Sequence, residues 1–285
     1  MTRFPGLSML AGLFRPAIRI ALAPHAVNLV QGRALRQAGV SAPPGQADKQ
    51  SHTHEAWQAA LDTLLPQLHG MPPHSPVDVV LSHHFCGVHL LDAPGIALSH
   101  AETRAWISEQ LADRLGEQAR TRHIAWQPTP QGTPILVASM LPEALTLLQN
   151  TLLQHHLHPR TVRPWLAACC DTHWATLRRG PVLLALSEPG MVCLASLAHG
   201  QFCSVRCARS DAAPAETLAA LLARESLLHP TPSDARCLIA STTPTALSTS
   251  SQLISSQHTA WQALLPLPSD ATDLLAMLDV SHAPR

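Results

Sequence analysis

A pattern of short, mainly apolar strands near the start of the chain recurs in its second half. Residues 18–31 contain two such runs separated by Pro24 and His25, which predicts a β-hairpin. Residues 182–206 contain three runs separated by glycine-containing turns, and a predicted helix and a further strand follow them. A sheet must bury one face against another layer, so a repeated strand-and-helix pattern of this kind predicts two related α/β halves.

The remaining predicted elements place helices between the strands. Residues 38–51 are rich in Gly, Pro and Gln and predict a loop. Ser99 followed by Glu102 matches a capping box, and Pro142 suits the first turn of a helix. Helices are predicted at residues 54–68, 99–115, 142–156, 214–227 and 270–279, and strands at residues 77–82, 87–92, 123–127, 134–140 and 237–240.

The charge balance excludes several classes of binding protein. The formal net charge is zero and only 13% of residues are charged, so no basic surface for non-specific nucleic-acid binding is expected. The single lysine, Lys49, lies in the predicted loop and is not placed to contact a phosphate as a P-loop lysine does. The hydrophobic content of 46% is sufficient for a substantial core.

The first 17 residues predict a lead segment and not a membrane span. The apolar run at residues 7–14 ends at Arg15 and Pro16, which makes it too short to cross a bilayer. We expect an amphipathic segment in which Leu13 and Phe14 rest on a membrane surface or on a partner. With no secretion signal and an odd number of cysteines, reduced thiols in the cytoplasm are expected.

Histidines and cysteines raise a separate possibility of metal binding. Cys203 and Cys207, which are four residues apart, could meet Cys193 on adjacent strands, but packed small thiols are the favoured interpretation. No CxxC pair or His-x3-His motif with a suitable Glu accompanies them. A metal-binding α/β enzyme based on His and Cys therefore stays open as a second alternative. The groups that suggest it are His52 and His54, His83 and His84, and His155, His156 and His158.

Five segments spread over most of the chain follow the pattern of one family. They are Leu13-Phe14-Arg15, residues 18–31, residues 90–94 with Glu102 and Trp106 on the next helix, residues 135–142, and residues 157–162. In these segments the chain resembles the actin-like proteins of type IV pilus assembly, the PilM type. Among them it is most similar to the MSHA pilus biogenesis proteins of the MshI type. The cytoplasmic domains of type II secretion L proteins are more distantly similar.

The resemblance implies an α/β fold of two actin-like lobes, each a ribonuclease H-like half. It implies a lead segment at 1–17, a first lobe at 18–162 with an inserted subdomain at about 77–130, and a shortened second lobe at 163–285. It also implies a cytoplasmic protein, peripheral at the inner membrane, that binds a bitopic pilus assembly protein and components of a pilus or secretion motor. Trp106, if its helix is exposed, is a candidate anchor for such a partner.

The chain departs from the family where ATP-binding members hold magnesium and phosphate. Those members carry Asp-x-Gly-Ser in the first hairpin, whereas this chain has Ala21, Ala23 and Pro24 there. They carry a second Asp-x-Gly at the start of the second half, where this chain has Ala185 and, as a doubtful substitute, Glu188. Alanine offers no ligand and proline has no backbone N–H. We expect a degenerate nucleotide site, no cofactor, no metal and no catalysis; an ATPase of the same fold that uses ATP and magnesium is the alternative.

Overall fold

The computed structural model describes residues 17–31, 34–40, 49–210, 214–228, 235–241 and 262–263 of the chain, and within these ranges it contains three β-sheets. The strands are β1 (Ile18–Ala23), β2 (Ala26–Gln31), β3 (Ala34–Gly39), β4 (Pro76–Leu81), β5 (Gly87–Leu91), β6 (His123–Trp126), β7 (Ile135–Met140), β8 (His158–Pro164), β9 (Pro181–Glu188), β10 (Met191–Ala198), β11 (Gln201–Arg209), β12 (Arg236–Ser241) and β13 (Gln262–Ala263). The helices are α1 (Lys49–Leu68), α2 (His100–Leu115), α3 (Pro142–Gln154), α4 (Trp165–Leu177) and α5 (Pro214–Leu228), with a short 3-10 helix at Glu117–Thr121.

The first sheet has the strand order β3-β2-β1-β4-β8. Its central strand, β1, pairs antiparallel with β2 and parallel with β4, and β8 runs parallel to β4 at the edge. Side chains alternate between the two faces of a strand. Accordingly, Ile20 and Leu22 are buried against the apolar residues of α1 and α3, whereas Ala21 and Ala23 belong to a different cluster on the opposite face.

The second sheet repeats this arrangement in the order β11-β10-β9-β12-β13. β9 pairs antiparallel with β10 and parallel with β12, as β1 does with β2 and β4. Helix α5 packs on β9, β10 and β11, and buries Leu218 against Val192 and Ile239. The sequence prediction of two related α/β halves is therefore confirmed, and the two halves are called lobes below.

A single apolar cluster joins the two lobes. Helix α4 contacts β4 and β8 of the first sheet and β9 of the second. The cluster around it contains Val80 from β4, Leu184 from β9 and Cys193 from β10, and Trp165 of α4 is fully buried within it. Because burial of apolar surface is the main favourable term in folding, this shared core holds the lobes together directly.

A small antiparallel sheet, β5-β7-β6, forms the insert of the first lobe. Helix α2 begins at the predicted capping box: Ser99 Oγ accepts the backbone N–H of Glu102, and the Glu102 carboxylate accepts the backbone N–H of Ser99. The insert has its own core, in which α2 buries Ile107 and Leu111 against the sheet. The bounds differ from the expected 77–130, because β4 belongs to the first sheet and β7 to the insert.

Three strands were not predicted as strands: β3, β8 and the two-residue β13. β3 overlaps the start of the predicted loop at residues 38–51. Its residues are mostly exposed, so its sequence lacks the alternation of apolar and polar residues that predicts a strand. β8 lies in the segment that the sequence places in a loop between the lobes, and it contains Pro159 and Pro164. Proline donates no hydrogen bond and is tolerated at sheet edges, which is where β8 lies.

Some sequence expectations concern residues outside the described ranges. Leu13, Phe14 and the predicted helix at residues 270–279 belong to this group. Within the described ranges, no helix combines the length and the apolar content that crossing a bilayer requires.

Candidate functional site

The alanines at the positions where the family resemblance implies phosphate binding are parts of the core. Ala21, Ala23 and Ala185 are each fully buried. Ala21 and Ala23 belong to the cluster that joins the lobes, whereas Ala185 packs in the cluster under α5. Pro24 lies at the turn between β1 and β2. The structure therefore places methyl groups, and no carboxylate, at these positions of both hairpins.

A turn of the first lobe contacts the hairpin of the second. Residues 82–86, called the bridging turn here, connect β4 to β5. The turn is held to the end of β1 because the Ser82 N–H donates to the carbonyl of Leu22 at 2.9 Å. On the other side, His84 Nε2 lies 2.8 Å from the carbonyl oxygen of Pro189, in the turn between β9 and β10. The bridging turn thus lies between the first strand of one lobe and the first hairpin of the other.

A buried acid–imidazole pair reinforces this contact. Glu188 Oε1 accepts the backbone N–H of His83 at 2.8 Å and lies 2.7 Å from His83 Nδ1. Both side chains are completely inaccessible to solvent. Glu188 was predicted as a doubtful substitute for a metal-binding aspartate; in the structure it binds a histidine of the opposite lobe.

The two members of the pair shift each other's titration. Burial alone would lower the pKa of His83, but the hydrogen bond and the charge of Glu188 raise it above its usual value. Burial would raise the pKa of Glu188, but the hydrogen bond from His83 and the positive charges of His83 and His84 lower it below its usual value. The raised pKa of His83 and the lowered pKa of Glu188 both favour an ion pair at neutral pH.

Close packing leaves little room between the bridging turn and the second hairpin. Gly190 has a φ of 75°, a conformation that glycine adopts readily. A Cβ at this position would lie 3.4 Å from Cε1 of His84. A side chain at position 190 would therefore be disfavoured both by backbone conformation and by the imidazole of His84.

Two cysteines of the second sheet lie beside His83. Cys193 on β10 is directly opposite Cys207 on β11. The hydrogen bond from the Cys193 thiol lowers the pKa of Cys207 to about 7; burial opposes this shift, and the nearby His83 favours it. Because Cys193 donates that bond, the pKa of Cys193 is raised above its usual value. Cys203, which the sequence grouped with them, is exposed and its Sγ lies 3.8 Å from the carbonyl of Gln201.

Sequence reasoning did not connect His83 with Glu188 or with the cysteines. His83 and Glu188 are 105 residues apart, and no local spacing marks their pairing. The other histidines behave differently: His54 is exposed, and His74 and His158 stack on each other with ring centroids 5.4 Å apart. Among the described side chains, the group of three possible metal ligands is His83, Cys193 and Cys207.

A groove of about 460 Å³ separates the insert from the body of the first lobe. Two edge strands border it, β6 of the insert and β8 of the first sheet. The exposed Ala125 of β6, the half-buried Ala138 of β7, Leu145 and Gln149 of α3, and Arg160 of β8 are among its lining residues. Trp106, the predicted partner anchor, is half-buried and packs against the core of the insert.

Comparisons with known proteins identify the fold. No protein-family model matches the sequence, and no curated protein matches it either. A Bacteroides thetaiotaomicron protein of unknown function with an actin-like ATPase fold is similar in structure, with a TM-score of 0.60 and 10% identity, over 96% of this chain and 99% of that one.

Two further similar structures belong to a pilus biogenesis complex and to a secretion system. The PilM–PilN type IV pilus biogenesis complex matches with a TM-score of 0.61 and 13% identity, over 93% of this chain and 97% of the matched chain. The cytoplasmic domain of EpsL, an inner-membrane component of the type II secretion system of Vibrio cholerae, matches with a TM-score of 0.53 and 11% identity, over 93% and 94%. The predicted two-lobed actin-like fold is confirmed.

Proposed function

We propose that this protein is a non-catalytic adaptor in the assembly of a type IV pilus of the MSHA kind or of a related secretion system. It acts at the cytoplasmic face of the inner membrane, where it binds a bitopic assembly protein and connects it to motor components. The observation that carries the proposal is the bridging turn, which joins the lobes where ATP-binding relatives hold phosphate. Support for the assembly role comes from the likeness to the PilM–PilN complex and to the EpsL domain.

The contacts of the bridging turn argue against an ATPase. Magnesium and triphosphate need hard oxygen ligands and accessible backbone N–H groups. Glu188 is the acidic residue at the second hairpin, and it is fully buried and bonded to His83. The neighbouring carbonyl of Pro189 accepts a hydrogen bond from His84. To release these groups for a nucleotide, the protein would have to break a buried ion pair, which is costly.

We expect the purified protein neither to hydrolyse ATP nor to bind it. Calorimetric titration of the full chain with Mg-ATP should give no heat of binding at micromolar concentrations, because the first hairpin has no carboxylate and that of the second, Glu188, is buried and paired with His83. An established actin-like ATPase serves as the positive control. Magnesium-dependent ATP affinity in the micromolar range would show that the active ATPase, and not the adaptor, is correct.

The groove beside the insert is the proposed binding site for the partner. A strand at the edge of a sheet leaves half of its backbone N–H and C=O groups unpaired, and an extended peptide can pair with them by adding a strand. β6 and β8 are both edge strands and both border the groove. The apolar surface of Leu136, Ala138 and Leu145 offers side-chain contacts to the same peptide. The proposed occupant is an extended segment from the cytoplasmic tail of the bitopic membrane protein.

Replacement of Ala125 by Arg should weaken binding of that tail by about tenfold or more, since a long charged side chain would occupy the groove at an edge strand. The measurement is fluorescence anisotropy with a labelled peptide from the cytoplasmic tail of a candidate bitopic assembly protein. Ala105→Arg on α2 is the matched control, because Ala105 is also exposed and does not line the groove. Equal affinity of the two variants would remove the groove from the proposal.

A further inference from the structure

We propose that His83, Cys193 and Cys207 bind a zinc ion that links the two lobes. The imidazole belongs to the bridging turn of the first lobe, and both thiols belong to the second sheet. One ligand atom from each residue lies within 4.8 Å of the others. Tetrahedral zinc places such ligand atoms about 3.5–4 Å apart, given metal–sulfur and metal–nitrogen bonds of about 2.3 and 2.0 Å. Small side-chain rotations would therefore complete the site.

The two cysteines are placed by the register of the sheet. Cys193 and Cys207 are direct partners in the antiparallel β10–β11 pair. Partners of this kind project from the same face with Cβ atoms about 4.5–5.5 Å apart. Two thiolates held together in this way form half of a tetrahedral coordination shell without any change in the backbone.

The third ligand, His83, is oriented by Glu188. Since the Nδ1–H of His83 donates to the Glu188 carboxylate, the opposite ring nitrogen, Nε2, is the one available to a metal. That nitrogen is buried and has no hydrogen-bond partner among the described residues. A carboxylate behind a metal-binding imidazole is the usual way in which proteins fix the tautomer and the ring orientation. A buried nitrogen without a partner is costly, and a bound metal would satisfy it.

The ligand set selects the metal. Two thiolates and an imidazole favour zinc over calcium and magnesium, which prefer oxygen ligands. On binding, each cysteine loses its proton to solvent, and the imidazolium of His83 loses the proton of Nε2, whose lone pair then binds the metal. The three residues supply three ligands, and a water molecule would take the fourth tetrahedral position. Such a site would hold the lobes together at the bridging turn, whichever partner the protein has.

The test uses the untagged full chain, stripped of metal with EDTA and kept reduced with a phosphine. Titration with cobalt(II) should produce a thiolate-to-metal absorption band that saturates at one equivalent and disappears when zinc is added. Cys207→Ser should weaken zinc binding by at least about 100-fold, since even outer partners of a ligand change affinity by 10–100-fold. Cys203→Ser, which alters another exposed cysteine on the same strand, should bind as the wild type does.

A thermal measurement separates this site from adventitious binding by surface histidines. Zinc at about one hundred times its Kd should raise the melting temperature by roughly 5 °C or more in the wild type and in Cys203→Ser, but not in Cys207→Ser. Circular dichroism confirms that the variants are folded. The proposal is overturned if cobalt gives no thiolate band, or if the two cysteine variants bind zinc equally. Either result would leave the adaptor role untouched, because that role requires no bound metal.

Discussion

Replacement of Glu188 by Ala is expected to lower the free energy of unfolding by about 3–5 kcal/mol, the usual cost of removing one member of a buried ion pair. The substitution takes away the acceptor of both the backbone N–H and the Nδ1–H of His83, and both donors stay buried. Urea denaturation followed by circular dichroism at pH 7 measures the change. EDTA in the buffer excludes any contribution from bound metal.

Two further variants show whether the pair itself is responsible. Glu188→Gln keeps an oxygen acceptor for His83 but removes the charge, so its loss should be clearly smaller than that of Glu188→Ala. Glu55→Ala, at an exposed position of α1, should change the free energy by no more than about 0.5 kcal/mol. A loss below about 1 kcal/mol for Glu188→Ala would contradict the role of the pair in holding the lobes together.

Replacement of Trp165 by Ala should cost about 3–5 kcal/mol, as large-to-small changes of buried aromatic residues do. Trp165 is fully buried at the start of α4, in the cluster that contains residues of both sheets. Its loss would leave a cavity between the lobes and remove contacts on both sides. Thermal and urea denaturation monitored by far-ultraviolet circular dichroism are suitable, because they do not depend on tryptophan fluorescence.

The same helix supplies the control for this prediction. Trp174 of α4 is 44% exposed, so Trp174→Ala removes the same side chain with much less burial. Its cost should be about half that of Trp165→Ala or less, since the penalty grows with the buried area that is lost. If the two substitutions cost the same, the shared core would not be the contact that joins the lobes.

Much of the fold follows from local pattern. Residues 18–31 form the β1–β2 hairpin of the first sheet, and residues 182–206 form most of β9, β10 and β11 in the second sheet. They could be predicted as strands because they are short runs of mainly apolar residues bounded by turns. Ser99 and Glu102 formed the predicted capping box, since a helix start is decided within four residues. β8 was missed because its prolines are typical of loops, and only its place at a sheet edge makes them acceptable.

The candidate site could be predicted only in part. The alanines at positions 21, 23 and 185 could be singled out from the sequence, because the family resemblance implies Asp-x-Gly motifs in these segments. The pairing of His83 with Glu188 could not be seen, because it depends on how one lobe is placed against the other. Cys193, Cys203 and Cys207 were recognised together as possible neighbours, but Cys203 is not part of the group, and its third member, His83, comes from a turn more than 100 residues earlier in the chain.

The position of α4 also bears on whether the protein can be divided. One face of this helix packs on the first sheet and another on the second. A cut before residue 165 would therefore expose apolar surface on both fragments: on the first sheet, which loses α4, and on the face of α4 that packed against it. Neither fragment alone is expected to fold stably, and the two lobes should therefore unfold together as one cooperative unit.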